Sequence, residues 1–236
     1  MKPLDAVYAR AVAAVPELAA MVDPGAAVLD AAVLTDPGWL AGRIAETGRR
    51  WRVADARVVG TLWWYSASST LVAAPVTTLL VAGKAVDVAG LAIYLRPDGD
   101  LGGGRASGLL DGGPVRLGRA LRESLGAVIA PLAAVSGATE RALWAITADS
   151  LGNWALRAGT ALGTVEQGTE LAIAVARGIG AVMPVPRFVD IGTRRYVRRC
   201  SCCLIYVAPG CGKCTSCPRQ TPDERLRRLT AHARSL

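Results

Sequence analysis

Histidine, phenylalanine and lysine are nearly missing from this 236-residue chain, which has only His232, Phe188 and the lysines Lys2, Lys84 and Lys213, and cysteine is absent before position 200. A single histidine in a charged terminal stretch excludes a Ser/His/Asp triad, a histidine-based metal site and a Rieske cluster, which needs two. Phosphate-binding loops and dinucleotide fingerprints are missing too: Gly102-Gly103-Gly104 lacks the flanking spacing and reads as a turn. Met1 to Asp23 carries Asp5, Arg10 and Glu17, so it lacks the unbroken apolar core of a secretory signal. A cytoplasmic protein is therefore expected. The excess of Arg over Lys, with abundant Ala, Gly and Val, reads as compositional bias.

Hydrophobic residues make up 52% of the chain, ample for a buried core. Charge is unevenly placed: residues 1 to 193 balance 17 basic against 17 acidic side chains, whereas residues 194 to 236 carry 10 basic and 2 acidic, so the net +8 sits in the tail. Asp5–Val22 and Gly38–Trp51 read as helices. Gly60–Gly83 is uncharged over 24 residues, but its Ser, Thr and Pro content favours a buried core helix, broken near Pro75, over a membrane span. Val86–Leu95 followed by Pro97-Asp98-Gly99 predicts a strand and turn. Helical spacing returns at Leu117, Leu121, Leu125 and Val128, and again over Thr139–Ala158. Thr164 with Gln167 forms a capping-box signature for a helix ending near Gly178, and Thr221-Pro222-Asp223-Glu224 opens a short terminal helix. The expected fold is α+β and predominantly helical, with a small antiparallel sheet or hairpin. It divides into a body over 1–190 and a cysteine-bearing segment over 191–236 without a low-complexity linker.

All six cysteines fall between Cys200 and Cys217. In a reducing compartment such clustering argues for metal, not disulfides. Cys214-Thr215-Ser216-Cys217 is a metal knuckle, but its counterpart is the adjacent pair Cys202-Cys203. Neighbouring side chains in an extended segment point to opposite faces, which disfavours one tetrahedral zinc and favours a wider two-iron centre. Cys200 with Cys202 is an alternative same-face pair. Cys211, Cys214, Cys217 and Pro218 leave a four-iron cluster open, although the last cysteine of that ferredoxin run is missing.

The adjacent pair, ten residues, Cys214, two residues and Cys217 resembles the signature of the FhuF-type ferric siderophore reductases, with agreement at Arg198-Arg199, Leu204-Ile205-Tyr206 and Pro209-Gly210. The strong match covers about residues 194 to 220. This resemblance implies a C-terminal [2Fe-2S] cluster on Cys202, Cys203, Cys214 and Cys217, with Cys200 and Cys211 as buried small residues or substitute ligands. It also implies one-electron reduction of siderophore-bound Fe(III) in the cytoplasm, with the body over 1–190 binding the siderophore.

Arg194, Arg195, Arg198 and Arg199 flank the cysteines and are candidates to attract an anionic ferric complex or an acidic donor. Trp63 and Trp64, with Tyr65, are further candidates for a siderophore pocket, although aromatic residues in an apolar helix are more often core. Without a dinucleotide fingerprint, electrons are expected from a ferredoxin or a flavin/NADPH reductase, with peripheral membrane contact near an importer left open. The competing reading is a zinc- or cluster-ordered basic module for nucleic acid or a protein. Few aromatics interleave the tail arginines, so nucleic acid is not expected.

Overall fold

The computed structural model describes residues 2–22 and 28–235. Its centre is the helix predicted from the uncharged stretch. Asp55 accepts hydrogen bonds from the backbone of Arg57 and Val58 to start α4 (Ala56–Ala82), and Gly83, at φ 69°, ends it in the left-handed conformation. A helix apolar on every side needs partners on every side. Here they are α1 (Pro3–Ala14), α3 (Pro37–Trp51), α5 (Pro114–Ser136) and, most extensively, α6 (Glu140–Ala161). Among the described residues α4 alone is long and apolar enough to cross a membrane, and 67% of its most apolar window is buried within the protein. The expected break at Pro75 does not occur. Pro75 removes one backbone donor, but it is buried inside the continuous helix, where packing around the axis outweighs that loss.

The α4–α6 seam carries a row of polar contacts inside the core. Trp64 Nε1 donates to the Leu143 carbonyl at 3.0 Å and to Thr147 Oγ1 at 3.1 Å, Ser68 and Ser150 share a bond of 2.9 Å, and Trp154 Nε1 donates to Ser69 at 3.0 Å. A one-turn slip would orphan all of them, at about 1–3 kcal/mol for each group left unsatisfied. The register of the two helices is thereby set.

Helix α7 (Val165–Ile179) packs closely on α5 and α6. A side chain at Gly118 would strike the Val175 carbonyl and the Gly178 backbone, and one at Gly168 would strike the Ala155 carbonyl. Thr164 does occupy the N-cap of α7, but its side chain accepts no capping bond, so the expected capping box is not formed. Near the N-terminus the expected helix divides at Pro16 into α1 and the single turn α2 (Ala19–Val22), with a 3-10 turn between.

Strands are short and antiparallel. β1 (Val28–Asp30), β3 (Leu91–Leu95) and β4 (Leu101–Ala106) form one sheet, and β2 (Ala85–Val86) pairs with β5 (Leu109–Leu110). The predicted turn at Pro97–Gly99 joins β3 to β4, but the three glycines are strand, not turn: Gly103 lies opposite Tyr94 and Gly104 opposite Ile93. Gly102 and Gly103 have no room for a side chain, because the Tyr94 ring lies against both and the Met21 backbone against Gly103. In the tail β6 (Phe188–Ile191) pairs with β7 (Arg194–Val197), so the expected division at 190/191 falls inside a hairpin that leans on α6. Helix α8 (Pro222–Arg234) starts as expected, with Thr221 Oγ1 accepting from the Glu224 amide at 3.2 Å.

Gly118→Val should force α5 and α7 apart and lower stability by about 1–3 kcal/mol. Gly126→Ala, where an added carbon meets only the Trp144 ring at 3.7 Å, should stabilise by up to about 1 kcal/mol. Thermal unfolding of the two variants checks both signs.

Candidate metal centre

Asp149 sits mid-helix in α6, 1% exposed, where an ionised carboxylate must be fully satisfied. Three groups of the incoming tail do this. The Cys200 amide donates to Oδ1 at 2.7 Å, the Ser201 amide to Oδ2 at 3.4 Å, and Arg199 Nε to Oδ2 at 3.2 Å. Burial pushes the Asp149 carboxyl up, opposed by the Cys200 amide and the Arg199 charge. The segment just before the adjacent cysteines is thus pinned to the helical body.

Arg199 then reaches the thiols. Its Nη1 lies 3.2 Å from Cys214 Sγ and 3.7 Å from Cys203 Sγ, and its guanidinium stacks 5.0 Å above the Tyr65 ring. Burial works against its charge, but Cys203 and Asp149 outweigh that and hold it protonated. The Cys203 thiol is lowered to about 5, first by the bond from the Cys214 thiol, with the Ile205 amide and Arg199 adding to it. The same bond, donated, raises Cys214.

The adjacent cysteines divide. Cys203 and Cys214 share Arg199 Nη1, at 3.7 Å and 3.2 Å, while Cys202 Sγ lies 3.7 Å from Cys217 Sγ. Burial raises the Cys202 thiol, opposed by the Leu204 amide, which donates to its sulfur at 3.4 Å. Leu204 is at φ 64°, one of two non-glycine residues in the left-handed region among the described residues. The second knuckle is closed by the Cys217 amide on the Cys214 carbonyl at 3.0 Å, and Gln220 Nε2 braces that same carbonyl at 2.5 Å. From α8, Arg228 donates to the Lys213 carbonyl at 2.8 Å. Cys200 and Cys211 belong to neither pair: Cys200, raised by burial, borders a pocket with Arg187 and Trp144, and Cys211 is half-buried in its loop.

Among the described residues no group of three or more Cys, His, Asp or Glu is gathered as one metal site. The thiols come instead as two pairs, a donor set that suits two irons with two thiolates each. Arg199 Nη2 is buried without a hydrogen-bond partner. Cys202 with Cys217, and Cys203 with Cys214 around Arg199, are the residues that would hold a two-iron cluster.

A cleft of about 750 Å³ opens against the Cys203–Cys214 side, bordered by Cys214, Arg199, Arg195, Tyr65, Trp154 and Arg157. A smaller one of about 300 Å³ meets Cys202 and is bordered by Arg57 and Arg219. Of the candidate substrate residues, Arg195 and Arg199 reach the large cleft, and Arg195 is also held by Asp190 at 2.7 Å. Arg194 and Arg198 are exposed and outside its lining. Trp63 and Trp64 are 2% and 0% exposed and belong to the core, because the α4 face that carries them turns toward α3 and α6; Tyr65, the next residue, faces the cleft. Asp149, Trp154 and Gln220 escaped the sequence reading. A lone acid between the buried positions Ala148 and Leu151 was the available signal for the first.

Asp149→Ala should cost about 3–5 kcal/mol by leaving Arg199 as an unpaired buried charge, whereas Asp149→Leu with Arg199→Met should recover the part due to that charge but not the part due to the Cys200 and Ser201 amides. Urea unfolding of the two variants measures the difference. Compared with known proteins, the chain matches no family model and no curated sequence.

Proposed function

We propose that the chain is a ferric siderophore reductase in which Cys202 with Cys217, and Cys203 with Cys214, hold a [2Fe-2S] cluster that supplies one-electron transfer. The observation that carries this reading is the division of the adjacent cysteines, Cys202 lying against Cys217 and Cys203 sharing Arg199 with Cys214. Their spacing, which resembles the FhuF-type signature, supports it.

The chain's own residues account for the remaining requirements. Asp149 and Gln220 orient the two cysteine loops, and α8 closes the second of them. The large cleft is bordered by Tyr65 and by the guanidinium groups of Arg157, Arg195 and Arg199, paired with Glu17, Asp190 and Asp149, so a bulky, oxygen-rich anion would bind there by sharing or displacing these carboxylates. Siderophores grip Fe(III) through hard oxygen donors, and Fe(II) is held far more weakly, so one electron suffices to release the metal. No covalent bond to carbon is broken, so the reaction requires no general acid or base. The electron comes from a separate ferredoxin or flavin/NADPH reductase in the cytoplasm.

Purified anaerobically, the protein should be coloured and contain about two irons and two sulfides per chain. Cys202→Ser or Cys217→Ser should abolish both, while Cys200→Ser and Cys211→Ser retain them. With a reduced ferredoxin, the loaded protein should bleach a ferric siderophore and yield Fe(II) trapped by a ferrous chelator. A colourless protein carrying stoichiometric zinc would sink the proposal in favour of the basic binding module.

A further inference from the structure

Among the described residues Arg199 is the one cation that is buried among the thiols, and its contacts are asymmetric. Nη1 approaches Cys214 at 3.2 Å and Cys203 at 3.7 Å, and among the described residues it makes no hydrogen bond to Cys202 or Cys217, which lie 3.7 Å from each other. Asp149 holds it from behind at 3.2 Å, the Tyr65 ring lies 5.0 Å from it, and its side chain is 4% exposed, so it cannot swing to the other pair. The sulfur it touches most closely is also the one that borders the large cleft.

Resting on the cluster reading above, we infer that Arg199, aimed by Asp149, is the positioning residue that sets the reduction potential and draws the transferred electron to the Cys203–Cys214 side, facing the cleft. The physical basis is simple. Adding one electron adds one negative charge around the thiolates, and a fixed N–H donor carrying positive charge stabilises the more negative state in a poorly solvated site. The electron comes from an external one-electron reductant and leaves to Fe(III) bound in the cleft, so no proton or bond rearrangement is required of Arg199. Asp149 moderates the effect: it fixes the guanidinium and offsets part of its charge.

The test is a potentiometric titration of the iron-loaded protein with dithionite, followed by EPR. Arg199→Met combined with Asp149→Leu leaves the local net charge unchanged but removes the N–H donor. At the wild-type midpoint, its ratio of reduced to oxidised protein should fall about tenfold, which is about 59 mV for a one-electron couple. Asp149→Asn keeps Arg199 and its thiol contacts while removing the opposing charge, and should shift the ratio the other way. An iron- and sulfide-replete double variant with an unchanged midpoint overturns the inference. If that variant does not load, Asp149→Asn decides, and a midpoint that stays or falls has the same consequence. Wild-type protein lacking iron and sulfide would instead overturn the function on which the inference rests.

Discussion

The buried carboxylate of Asp149 is the constraint on which the geometry of the tail depends. A carboxylate in the middle of an apolar helix is tolerated only when its oxygens are occupied, and the residues that occupy them are consecutive: Arg199, Cys200 and Ser201. Three donors from one segment leave that segment little freedom. Once it is fixed, Cys202 and Cys203 emerge at a defined place on the helical body, and the second knuckle has somewhere to close. The ion pair with Arg199 is not a large net source of stability, because desolvation offsets most of its attraction. Its contribution is positional, since any displacement of the tail would strand two charges.

That anchor is only as good as the helix that carries it. The Trp64, Ser68 and Ser69 contacts lock α4 against α6 along the same stretch that presents Asp149. Consecutive helical residues point about 100° apart. Trp64 therefore turns into the seam while Tyr65 turns out over Arg199 and the cleft. Trp154 sits between the two environments, donating to Ser69 while its ring, with the Arg157 guanidinium 5.1 Å away, forms cleft wall. Core register and site geometry are thus one problem, solved by one pair of helices.

Much of this was legible in the chain. Helical periodicity located the main helices, because burial on one face leaves a 3.6-residue imprint, and the Thr221 cap was readable because its bond is local. Signals that need distant partners were lost. Pro75 reads as a break until the surrounding core is known, and Gly102 to Gly104 read as a turn until Tyr94 and Met21 are seen lying against Gly103. Cysteine spacing marked the candidate centre, but Asp149 lies 50 residues from its partner Arg199, and no local pattern ties them. The three aromatic candidates could not be told apart in the sequence: helical phase, invisible in an all-apolar stretch, puts Tyr65 at the cleft and Trp63 and Trp64 in the core.

Adjacent cysteines are an awkward way to hold one ion and a natural way to serve two positions. Leu204, following them, adopts φ 64° without being glycine, a conformation that costs roughly 1–2 kcal/mol in an L-residue. Such strain persists only where the surroundings impose it. Here the consequence is visible at once: the Leu204 amide turns to Cys202 Sγ, while the Ile205 amide serves Cys203. Successive backbone donors thereby go to sulfurs on opposite sides, and each sulfur finds its own partner in the second knuckle. A glycine at 204 would remove the strain, but it would also free the chain to sample arrangements in which both thiols face the same way. The bulkier residue narrows that choice, so the kink after Cys203 follows from the same requirement as the anchor before it: two neighbouring side chains must be kept apart.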